Sequence, residues 1–148
     1  MTWEKVKEPK TDLQPPPKQE ADPINPQHYR GGFRYRECEC IDLARELPFS
    51  IGNAVKYIWR AGRKGDAKED LKKALWYIED ARMNLRLTQE QTTRATIVVE
   101  MMRTMPDAEL NVCMMKLNTF RFLARGKYNN AMLNVERLAL AMGVILDD

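Results

Sequence analysis

One histidine and three cysteines among 148 residues leave little material for the commonest metal centres and thiol chemistries. Cys38 and Cys40 are too close in sequence for an ordinary bridge to each other, and with Cys113 they form neither a disulfide framework nor a zinc pattern. Reduced thiols, as in a cytoplasm, are the expectation. The sequence has no HExxH, CxxC or compact carboxylate cluster, so no metal ligand is assigned. It also has no GxxxxGK[ST] stretch, which excludes a Walker phosphate cradle. No run approaches the ~18 apolar residues of a membrane span, and the opening MTWEKVKEPK lacks the apolar region of an export signal. A net charge of +3 is too small to argue for nonspecific binding to DNA, so nucleic acid is not an expected partner.

What is present is a globular composition, 44% hydrophobic and 30% charged, in a chain long enough for one modest core. Residues 1–21, with QPPPKQ and alternating charge, read as a disordered or extended tail that offers little apolar surface to offset chain entropy. In DPINPQHYRGG, Pro23 and Pro26 stiffen the path, and Gly31 and Gly32 permit a sharp turn. That segment carries His28 and Tyr29, placed where a loop could wall a site formed by the helices that follow.

From Cys38 onward the apolar spacing is helical. Ile41, Leu43, Ala44 and Leu47 form a stripe stopped by Pro48, and Ser50 is positioned to cap a second helix ending near Ala61. Gly62 follows the last periodic residue and Gly65 closes the turn. Asp66 and Glu69 stand at capping-box spacing before a third helix with Leu71, Ala74, Leu75, Ile78 and Leu85 on its apolar side. Thr88 and Gln91 repeat that spacing before a helix expected from about Gln89 to Met105, although Thr96 to Val99 would also suit a strand. Asp107 opens a fifth helix closed at Gly126, and a sixth ends at Gly143. The stretch from Leu117 echoes the plan of the second and third helices: an aromatic at the helix end, Arg and Gly at the turn, then another helix. The fold class is therefore all-α, with antiparallel helix hairpins packed as a small bundle.

The chemistry concentrates at the junction of the second and third helices. Ile51, Ala54, Val55, Ile58 and Trp59 share the apolar side, whereas Asn53, Lys56 and Arg60 share the other with Tyr57 at its edge. Asp70, Lys73 and Tyr77 occupy a comparable row on the third helix, and Arg63 and Lys64 lie in the turn between. If the two helices pair, one groove collects cations suited to phosphate oxygens and tyrosines suited to stacking on a base. A solvated, ion-paired face is the commoner fate of such residues, and spacing alone leaves both readings open.

Asn25, Pro26, His28 and Tyr29, then Gly52, Asn53, Lys56, Tyr57, Arg60, Ala61 and Gly62, and finally Asp70, Leu71, Lys73, Ala74, Trp76 and Tyr77 together resemble a small helical family common in phages, numbered 3310 among the domains of unknown function. A similar domain forms the C-terminal part of a coliphage nucleotide kinase acting on deoxynucleoside monophosphates. The resemblance covers Asp22 to about Leu85. It implies a nucleotide-kinase-like helical domain over 22–87, with 88–148 as a helical extension for packing or oligomerisation. It further implies a nucleotide or nucleotide-derived ligand held by the residues named above, in the cytoplasm of the host if the protein is phage-encoded. No cofactor is required by this reading, and magnesium is left open. A non-catalytic protein that sequesters a nucleotide signal of host defence is the alternative, and an all-α nucleotide pyrophosphohydrolase is a further one. Nine methionines, most of them after Arg82, add the expectation of a homo-oligomer.

Overall fold

In the computed structural model of the chain, residues 23–24, 38–102 and 110–147 are described. They form six α-helices, α1 (Cys40–Ala44), α2 (Phe49–Arg60), α3 (Ala67–Asn84), α4 (Gln89–Met101), α5 (Leu110–Ala124) and α6 (Tyr128–Ala141), and no strand lies among them. The all-α expectation holds. The tail over 1–21, the segment with His28 and Tyr29 and the start of the fifth helix at Asp107 lie outside the described residues.

Helix α2 begins two residues before the place where a serine cap would put it. Pro48 is the N-cap and its carbonyl accepts from Gly52 N at 2.8 Å, so Ser50 lies inside the first turn. There it is buried, and its Oγ donates to a carboxylate oxygen of Asp80 on α3 instead of capping. The fixed φ of proline starts the helix without a side-chain cap, which frees the hydroxyl for a contact between helices. Helix α1 is shorter than its apolar stripe suggested. It ends at Ala44, and the backbone tightens to i→i+3 bonds, Glu46 N to Leu43 O and Leu47 N to Ala44 O, both at 3.1 Å. Leu47 is still buried by this turn, whereas Ile41 stays half exposed, and Cys40 takes the core position.

Asp66 caps α3 by accepting from Lys68 N at 2.9 Å, while Glu69 turns away to pair with Lys73 at 2.8 Å. The box at the start of α4 is complete: Thr88 Oγ1 accepts from Gln91 N at 3.1 Å and Gln91 Oε1 from Thr88 N at 2.9 Å. Thr96 to Val99 are helical, because the period places Ala95 and Val99 together in the core. Helix α4 stops at Met101, short of Met105.

The pairs Arg60–Asp70, Tyr57–Tyr77 and Ser50–Asp80 recede in step from the turn, so α2 and α3 are antiparallel. Helices α5 and α6 form a second hairpin across residues 125–127, and the main contacts between the hairpins are α3 with α6 and α2 with α5. One core runs through both. Trp59 of α2 and Phe120 of α5, each fully buried, stack at its centre with centroids 5.8 Å apart.

Lys116 was not anticipated. It sits on the apolar side of α5 at 4% exposure, and its Nζ donates to Ala61 O at 2.6 Å and Trp59 O at 3.2 Å. These carbonyls belong to the end of α2, where the helix dipole also favours a cation. The signal lay in the sequence: Cys113, Phe120 and Leu123 share the helical face on which Lys116 falls.

Candidate functional site

The α2–α3 hairpin brings most of the expected groove residues together. The rings of Tyr57 and Tyr77 stack with centroids 5.9 Å apart and planes 11° from parallel. Lys56 Nζ lies 4.5 Å from the Tyr57 centroid and Lys73 Nζ 5.4 Å from it, both at cation–π distance. Two cations from different helices thus flank one aromatic ring. Lys73 is exposed, and its pairing with Glu69 raises its pKa. Asn53 is half-buried, and its Nδ2 donates to Phe49 O at 3.1 Å along its own helix.

Arg60 is oriented by its surroundings. Its Nε lies 3.5 Å from Asp70 Oδ2 and donates to Lys64 O at 3.5 Å, which folds the guanidinium across the turn. The Asp70 carboxyl is only 3% exposed, and its contact with Arg60 is an ion pair and not a hydrogen bond. Burial pushes its pKa above the ordinary carboxylate value; Arg60 and Lys73 pull it back, while Glu69 and Asp66 push the same way as burial. Asp70 therefore faces Arg60 from within the protein.

Arg63 and Lys64 part company with the groove. Lys64 is exposed at the tip of the turn. Arg63 is half-buried toward α1 and α5: burial lowers its pKa, and the Cys113 and Cys40 thiols beside it act in the opposite sense. Burial likewise pushes the Cys38 and Cys40 thiols up to about 12, so neither is a ready nucleophile. No cluster of three His, Cys, Asp or Glu side chains poised for a metal occurs among the described residues.

Two features were missed from the sequence. Phe49 is 77% exposed and meets the edge of Tyr77 at 6.1 Å, and Trp76, 65% exposed, meets it at 5.1 Å, so the tyrosine pair extends into an open aromatic cluster. The position of Phe49 was legible, since it precedes Asn53, Lys56 and Arg60 on the same helical row. The other is a cavity of about 700 Å³ between α1 and α2, lined by Cys40, Ile41, Leu47 and Phe49 with Asn53 and Lys56 at the polar side. Pro23 and Ile24 complete its lining from far along the chain, which no periodicity indicates.

These features define an all-α protein of two packed helix hairpins, the first bearing a basic, aromatic-lined face. Residues 24–79, which include that face, match the family described as protein of unknown function, DUF3310. No curated protein and no solved structure matches the chain. No helix among the described residues is long and apolar enough to cross a membrane.

Proposed function

We propose that the α2–α3 hairpin binds a nucleotide or a nucleotide-derived molecule. The observation that carries this reading is the stacked pair Tyr57–Tyr77 with Lys56 and Lys73 on the Tyr57 ring and Arg60 held beside them by Asp70. A guanidinium fixed in direction and two ammonium groups suit phosphate oxygens, and open aromatic edges with an adjoining apolar cavity suit a base. Asn53 and Lys56 border both the aromatic face and the cavity, so a ligand with phosphate at Lys56 and its ring against Leu47 and Phe49 fits. His28 and Tyr29 belong to the same proposal as residues that would complete the site from the preceding segment.

Turnover and sequestration would share this site. The purified protein is incubated with a panel of deoxynucleoside monophosphates, nucleoside triphosphates and cyclic dinucleotides, then denatured, and the released material is chromatographed. An altered nucleotide identifies an enzyme: a nucleotide kinase if a phosphoryl group has passed from a triphosphate to a monophosphate, or a pyrophosphohydrolase if a triphosphate has been hydrolysed to a monophosphate and pyrophosphate. Intact ligand, released only on denaturation, identifies a sequestering protein. Failure to retain or change any nucleotide overturns the proposal. The wider reading of a phage protein that acts in the host cytoplasm, with counter-defence as one role, rests on the same ligand. Self-association is proposed from the apolar side chains exposed on the second hairpin, among them Leu133, Leu140 and Ile145.

A further inference from the structure

The two hairpins repeat one another in burial register. Along α2 the fully covered positions, Ser50 apart, are Ile51, Gly52, Ala54, Val55, Ile58 and Trp59; along α5 they are Lys116, Leu117, Thr119, Phe120, Leu123 and Ala124, at the same successive spacings. The second helices agree as well. Asp70 and Ala139 apart, the buried positions Leu71, Ala74, Ile78 and Ala81 of α3 are matched in spacing by Tyr128, Ala131, Val135 and Leu138 of α6. Corresponding helices also pack on one another, α1 on α4, α2 on α5 and α3 on α6, which is the contact pattern of two like units related by an approximate two-fold axis.

Helical hairpins resemble one another through physics alone, so shared burial would not by itself carry function. The polar positions add an independent agreement. In the register set by the core, Asn53 corresponds to Asn118, Lys56 to Arg121, Tyr57 to Phe122 and Arg60 to Arg125. The amide, the aromatic ring and both cations recur in order outside the fully buried stripe, with Tyr57 and Phe122 each resting against the edge of the core. Asn118, Arg121 and Phe122 are half-buried like their counterparts, whereas Arg125 is open where Arg60 is half-buried. Arg121 Nη1 donates to Asn118 Oδ1 at 2.8 Å, and its Nε lies 3.5 Å from Glu100 of α4, so this guanidinium too is oriented by a neighbouring helix.

We propose that Asn118, Arg121, Phe122 and Arg125 form a second phosphate-binding row, so that one chain takes two ligands of the same class. This rests on the nucleotide-binding reading of the first hairpin. The second row is the weaker. In the corresponding register, α6 offers Asn130 and Asn134 where α3 offers Lys73 and Tyr77, so one cation and one stacking ring are missing. Loss of a single charged hydrogen bond sets a difference on the order of tenfold or more in affinity.

Equilibrium dialysis of the full chain with labelled dTMP tests this. The wild type should bind two molecules per chain with dissociation constants differing roughly tenfold or more. Arg121→Gln with Arg125→Gln should remove the weaker site and leave the tighter, whereas Lys56→Gln should impair the tighter and leave the weaker. Arg125→Gln alone, at an exposed position, covers the case in which the double variant loses its circular dichroism spectrum. Binding of one dTMP per chain, lost with Lys56→Gln and untouched by the α5 variants, overturns the second row while the first reading stands. Two sites that are both indifferent to the α5 variants overturn it equally. Binding of no dTMP overturns the second row, while the first reading is decided separately by the nucleotide panel.

Discussion

Two buried charges show how single residues set conditions for the site. Lys116 neutralises the carbonyl end of α2 from a neighbouring helix, a hydrogen-bonding role that a methionine of similar length cannot fill. Lys116→Met should leave the carbonyls of Trp59 and Ala61 without that donor and cost about 1–3 kcal/mol, read as a lower midpoint in urea denaturation. A stability equal to that of the wild type would mean that hydrophobic packing by methionine offsets the lost bonds. Asp70 presents the converse case, a carboxyl whose folded-state pKa lies above its unfolded one because burial opposes the charge. Folding then favours the protonated form. The contribution is fully present below the ordinary carboxylate pKa of about 3.9 and is lost as pH rises through the raised value. Asp70→Asn carries no such titration, so its stability relative to wild type should improve from about pH 4 towards neutrality. Parallel pH profiles of unfolding free energy for the two proteins would contradict this account.

Elements were legible where local chemistry decides them and obscure where a neighbour does. The amphipathic rows of α2 and α3, the Asp66 cap and the Thr88–Gln91 box could all be read along the chain, because each depends on residues within one or two turns. The Ser50 cap could not, since Asp80, thirty residues on, claims its hydroxyl. The early end of α1 and the cavity between α1 and α2 are tertiary outcomes of the same kind. In the α2–α3 turn, Gly65 adopts φ +70°, and an added Cβ would meet Arg60 Nη2 at 2.9 Å. Gly143 has almost the same φ, +69°, with no atom within 4 Å of such a Cβ among the described residues. Both Gly65→Ala and Gly143→Ala should lose about 1–2 kcal/mol to left-handed backbone strain. Only Gly65→Ala should also displace Arg60 from Asp70 and weaken nucleotide binding. Equal binding by both variants, measured at equal folded fraction, would show that the set of Arg60 does not matter to the site.

At the scale of the molecule, the second hairpin has two sides with different fates. Its inner side joins the common core through Leu117, Phe120, Leu123, Val135 and Leu138. Its outer side leaves Leu133 at 48%, Leu140 at 78% and Ile145 at 72% exposure. Leu133 and Leu140 recur at a helical period along α6, and Ile145 follows on the chain after it, with Glu136 and Arg137 exposed between the leucines. Apolar side chains bordered by charge suit contact with a second copy, and a self-complementary patch closes as a two-fold dimer in which the charges can exchange partners. The sequence signalled soft apolar excess in this half but not its distribution, because methionine content does not say which side of a helix is covered. Burial leaves the two most exposed of these side chains, Leu140 and Ile145, at the end of α6 and after it, whereas Ile97, Met101, Leu110 and Met114 on α4 and α5 are less open. Light scattering on the full chain at tens of micromolar should therefore give the mass of a dimer, and Leu140→Glu should return it to a monomer with an unchanged helical spectrum. A monomeric wild type would refute self-association through this face. A dimer that survives Leu140→Glu would place the contact elsewhere.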